Sequence, residues 1–180
     1  YLTAGYFIGG RWADRSPRPS TLYQIVAWAG FLVGLVPFVA QPVLSLASPG
    51  FTNFRVALLG GSFVTVLLLF SVPVTLLGCI SPFVIRLAVT DVGSSGETAG
   101  RVYAISTIGS FLGAFLPDLL LVPLIGTRNT FVLMSLILLS VALVGLLRAS
   151  AQTRRRLYLY LSMPIVIVLL ALLLGDQPVK

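Results

Sequence analysis

The side chains that carry most enzymatic chemistry are scarce in this chain. Its 180 residues contain no histidine and one cysteine, Cys79, which sits within an apolar run. One thiol forms no disulfide within the chain, and with no imidazole beside it there is no zinc ligand set. A hydrolase or redox nucleophile would lack its activating base. The five acidic residues leave one unusual position: Asp118 is a carboxylate inside an apolar stretch. At 1.5 Å per residue it lies roughly 24 Å along a helix from Val102, and an acid in hydrocarbon costs about 2.5–3.5 kcal/mol on insertion scales. Two chemistries suit it. It contacts a cation, a proton or a polyamine, or it is a hydrogen-bonded acid near the outer rim, bonded to Ser, Tyr or the carbonyl freed beside Pro117.

The elements that position Asp118 follow from composition. The chain is 57% hydrophobic and 9% charged, with a mean hydropathy of +1.03. Soluble domains carry about 25% charged residues, so lipid is the solvent for most of this surface. Crossing about 30 Å of hydrocarbon takes about 20 apolar residues. That criterion predicts full spans at 21–47, 56–80, 102–125, 129–147 and 157–175, and the tail of another at 1–10. The expected fold is an all-α, polytopic transmembrane helix bundle in a single domain, continued upstream of Tyr1. Prolines within spans predict kinks whose freed carbonyls neighbouring helices satisfy. Between spans, 82–92 reads as a short amphipathic helix at the interface and 93–100 (GSSGETAG) as a turn-rich loop. No strand precedes those glycines, which excludes a nucleotide loop.

The 12 basic residues sort by side. Arg11, Arg15, Arg18, Arg86, Arg101, Arg148, Arg154, Arg155 and Arg156 fall on alternate connections, and Arg55, Arg128 and Lys180 on the others. The positive-inside rule makes 11–20, 81–101 and 148–156 cytoplasmic and the C-terminus external. The net charge of +7 is therefore a topology signal, and no nucleic-acid partner is expected. Arg154–Arg156 form a basic cluster placed to meet anionic lipid head groups, at about 1 kcal/mol per charge.

Helices in lipid pack closely through small residues. Ser106, Ser110, Ala114 and Asp118 recur every four residues on 102–125, with Gly109, Gly113 and Pro117 on an adjacent stripe. This predicts a central helix with Asp118 facing into the bundle. Gly30 and Gly34 form a second GxxxG on 21–47.

Three stretches resemble a known family. Gly5–Arg15 (GYFIGGRWADR) resembles the G-x-x-x-D-R loop after the second helix of major-facilitator-like proteins. There an Asp/Arg pair latches neighbouring helices, a role the resemblance gives to Asp14 and Arg15. The run from Gly100 to Ala114 (GRVYAISTIGSFLGA), continuing to 122–130 (VPLIGTRNT), is similar to the membrane region of fused major-facilitator/spermidine-synthase-like proteins. Leu77–Pro82 (LGCISP) fits the same family. The resemblance covers most of the chain and implies a bundle like half of a major facilitator. The family has a small neutral residue where Asp118 stands, so it assigns that acid no role. The aminopropyltransferase domain would need a Gly-rich strand–loop–helix for its S-adenosyl donor and acids for its polyamine, and nothing after Leu157 offers either.

The expected function is a non-catalytic, multi-pass membrane subunit, without cofactor, that packs against other membrane proteins in a prokaryotic inner membrane. Two alternatives stand beside it: a transport or polyamine/cation-binding unit, and the membrane anchor of a spermidine-synthase-like enzyme whose catalytic part lies elsewhere.

Overall fold

A computed structural model describes residues 1–47, 54–89, 95–149 and 157–174. Every regular element among them is helical: α1 (Leu2–Arg15), α2 (Pro19–Ala47), α3 (Phe54–Ala88), α4 (Ser95–Leu116), a π-helical turn (Pro117–Leu121), α5 (Val122–Ala149) and α6 (Leu157–Leu173). Three helical stretches are long and apolar enough to cross a membrane: Pro19–Ala40, Phe63–Ala88 and Ser95–Ala149. The apolar stretch of α6, Tyr158–Leu173, is shorter.

The 55 residues of Ser95–Ala149 would measure about 80 Å if straight, far beyond one hydrocarbon thickness. Gly126 interrupts them with φ 80° and ψ 160°, a conformation that residues with a Cβ rarely adopt. The sequence predicts a three-residue connection at 126–128. The structure turns on one glycine instead, with the Thr130 hydroxyl donating to its carbonyl at 2.8 Å.

Two further expectations are corrected. Residues 82–92 do not begin a separate interfacial helix, because α3 runs through Pro82 to Ala88. Phe83 is fully buried and meets Trp12 edge-on at 6.0 Å between ring centroids. That packing outweighs the hydrogen bond Pro82 removes. Nor is 93–100 a loop throughout, since α4 starts at Ser95 and takes in Gly96 and Gly100; residues 90–94 lie outside the described residues.

The packing fixes helix directions. Along α1 and α3 the contacts climb together, from Gly5 on Gly78, through Gly9 on Cys79 and Trp12 on Phe83, to Asp14 on Arg86, so these helices are parallel. Along α2 and α5 they run in opposition: Tyr23 meets Gly145, Gly30 meets Leu138, and Gly34 meets Ser135. Helix α6 aligns with α2, since Ile167 reaches Gly34 and Leu174 reaches Arg128. A cluster of Ala13, Ile25, Cys79 and Phe83 joins the end of α1 to the start of α2 and the end of α3. Arg11, Arg15, Arg18, Arg86 and Arg148 thereby gather at one end of the bundle, with Gly126, Arg128 and Leu174 at the other.

Helix α2 is the centre of this arrangement, packed on α3, α5 and α6. One core joins Val26 and Ala27 to Leu139, Ala142, Leu146, Met163 and Ile167. Large apolar side chains cover the outside, with Leu119, Leu124 and Leu172 more than 70% exposed. Apolar groups on this scale outside and a thin core inside suit a solvent of acyl chains.

Candidate functional site

Asp118 occupies the first π-helical turn after α4 and is exposed. The expectation that it faces the bundle interior is therefore corrected. Ser106, Ser110, Gly109, Gly113 and Ala114 are exposed too. A Cβ added to Gly109 or Gly113 would meet no atom within 4 Å. No residue of α4 is buried, so α4 is peripheral where the sequence predicts a central helix. The reason is visible at its start. Helix α4 leaves the bundle near the end of α3, where Tyr6, Ser81, Pro82, Ile85 and Tyr103 line a shared cleft. Beyond this point its own chain gives it little to pack on until the π-turn and α5. The five-residue π-turn is wider than an α-turn. It rotates the residues C-terminal to it out of register with the Ser106–Ala114 face. No ion pair among the described residues reaches Asp118.

The second GxxxG behaves differently. Gly30 and Gly34 lie against α5, where a Cβ on Gly30 would stand 2.9 Å from Leu138 Cβ. A Cβ on Gly34 would strike Ser135 Oγ and come within 2.8 Å of Ile167 Cδ1. The buried Ser135 hydroxyl donates to the Gly30 carbonyl at 2.7 Å, a polar link between backbones that only the missing side chains permit.

Sequence reasoning missed a third small-residue seam. Gly5, Gly9 and Ala13 are all buried and spaced by four, and they press on Thr75, Gly78 and Cys79 of α3. A Cβ on Gly9 would fall 2.5 Å from Cys79 Cα. The four-residue spacing is readable in the sequence, but the same glycines belong to the major-facilitator-like motif, which masks their packing role. On the α3 side the Thr75 hydroxyl donates to the Ser71 carbonyl at 2.6 Å and the Cys79 thiol to the Thr75 carbonyl at 3.3 Å. These local bonds absorb the polar groups of the seam.

At the basic end, Asp14 pairs with Arg86 Nε at 3.5 Å, with both side chains at least half exposed. The pair joins α1 to α3 beside an open cleft of about 340 Å³ lined by Gly10, Ala13, Pro82, Ile85 and Val89. Arg15 is exposed in the last turn of α1. Arg154, Arg155 and Arg156 lie outside the described residues.

At the opposite end, Arg128 does more than mark a connection. Its guanidinium stacks 4.9 Å from the Phe38 ring centroid of α2, and Nη1 donates to the Leu174 carbonyl at 2.5 Å. Cations suit the C-terminal carbonyls of a helix, and here one residue of α5 holds Phe38 of α2 and the end of α6. No group of three metal-ligating side chains occurs among the described residues.

No protein-family model, no curated protein and no solved structure matches the chain.

Proposed function

We propose that this chain is a non-catalytic integral membrane subunit whose α4 receives a transmembrane helix of another membrane protein. One observation carries the reading: α4 is a 22-residue helix with no buried residue. Apolar side chains such as Ile105, Ile108 and Phe111 are at home in lipid. The Gly109 and Gly113 backbone and the Asp118 carboxylate are not, because hydrocarbon satisfies neither close packing nor charge. The occupant is a helix that brings a hydrogen-bond donor or a cation level with Asp118.

In this reading the chain crosses the membrane five times, with α4 and α5 as separate passages divided at Gly126, and α1 belongs to a further one. The basic end is cytoplasmic, and the membrane is a prokaryotic inner membrane. The parallel α1–α3 pair and the Asp14–Arg86 bridge are compatible with a bundle resembling half of a major facilitator, and the motifs at 77–82 and 100–130 carry the resemblance to the spermidine-synthase-like group.

Photo-crosslinking from position 112 in native membranes tests it, with position 172 as a lipid-facing control. The expected adduct joins position 112 to one membrane protein, maps to a helix with a donor or cation at the depth of Asp118, and disappears in Gly113→Leu. Lipid adducts alone would overturn the reading, as would adducts to a second copy of this chain.

The uncovered Asp118 also favours a second reading, a cation- or polyamine-binding unit. A spermidine-dependent rise in the thermal midpoint of purified protein, abolished in Asp118→Asn, would select it.

A further inference from the structure

A second feature of the bundle, on the far side of α2 from α1, also calls for an occupant. Tyr23 lies across Gly145, so closely that any Cβ there would strike its ring. Beside this contact an open groove of about 330 Å³ runs between α2 and α5, lined by Tyr23, Ser140, Val141, Val144, Gly145 and Arg148. The residues of α5 form a ladder on one helix face, since 141, 144, 145 and 148 recur at three- and four-residue steps. Val141 lies about 10 Å deeper than Arg148 along the helix. The ladder passes from two half-exposed valines, through a glycine that removes its own side chain, to an exposed arginine at the basic end. The Ser140 hydroxyl donates its proton to the Leu136 carbonyl at 2.7 Å, so the deep part offers no free side-chain donor and is lined chiefly by apolar side chains.

We infer that this groove binds one anionic phospholipid, its phosphate on Arg148 and the upper part of one acyl chain along Val144 and Val141. Charge selects the lipid. Arg148 is in no ion pair among the described residues, and it shares its end of the bundle with Arg11, Arg15 and Arg18. Tyr23 sits where an aromatic ring spans apolar and polar zones. The inference rests on insertion in a bilayer and not on the α4 contact, so either can fail alone.

The test is native mass spectrometry of delipidated protein in detergent, titrated with phosphatidylglycerol, phosphatidylcholine or glycerol phosphate. The wild-type protein is expected to take up one phosphatidylglycerol in preference to phosphatidylcholine and to ignore glycerol phosphate. Arg148→Gln is expected to weaken phosphatidylglycerol binding about fivefold, the worth of one basic side chain at an anionic surface. Val144→Trp, which fills the groove from its exposed side, is expected to abolish the single tight site. An unchanged melting profile in each variant certifies the fold. Equal uptake of both lipids, or undiminished phosphatidylglycerol binding in both variants, would overturn the inference. Displacement of the lipid by glycerol phosphate would overturn the acyl-chain part.

Discussion

Ser135 and Gly34 occupy each other's space, and that reciprocity sets what substitutions cost. Ser135→Ala removes the hydrogen bond to Gly30 but leaves the close approach intact. A cost of about 0.6 kcal/mol, and at most about 1.7, is expected from unfolding in micelles. Gly34→Leu instead forces α2 off α5 against both Ser135 and Ile167. A loss of at least about 1–3 kcal/mol, or failure to accumulate, is expected by the same measurement. Gly109→Leu carries the same change of volume onto an open face, and its stability as an isolated chain should stay within about 0.5 kcal/mol of wild type. These glycines look alike in sequence, each with a partner four residues away. A GxxxG pattern shows that a close approach is possible, but not whether a neighbour makes it. Asp118 is legible as an acid in an apolar run, but its direction is not, because that depends on whether another helix covers the α4 face it shares with Ser106, Ser110 and Ala114.

At the scale of elements, helix identity and rough extent are legible from apolar run length, while the breaks are not. Pro82 suggests a boundary and is not one, because α1 packs along α3 on both sides of it. Gly126 resembles any loop glycine, yet it alone among the described residues has positive φ. Gly126→Ala is therefore expected to cost about 1–3 kcal/mol of backbone strain, despite open space around the position. The matching loss of thermal stability should not appear in Gly100→Ala, where the glycine is helical. Arg128 spans three elements, so Arg128→Leu should loosen the end of α6. Faster amide exchange confined to residues near Leu174 would register this, and unchanged exchange there would contradict it.

At the scale of the whole molecule, alternating charge along the sequence has a geometric counterpart. Five described arginines collect at one end because α1, α3 and α5 terminate where α2 begins. Single cysteines at Ser16 and Ala149 should react with an impermeant maleimide from the same side of sealed vesicles, and one at Asn129 from the other. Native Cys79, 1% exposed, should stay silent. The alternation was legible because arginine spacing is one-dimensional. The pairing of α1 with α3 was not, since it skips a helix in chain order.

That skipped pairing has a biosynthetic consequence. The seam of Gly5, Gly9 and Ala13 has no cover until Thr75–Arg86 has been made. At about 5–20 residues per second, translation of the intervening chain takes roughly 4–14 s. Throughout that interval the nascent α1 presents a bare glycine groove to whatever inserts it, so an insertion chaperone has an opportunity there.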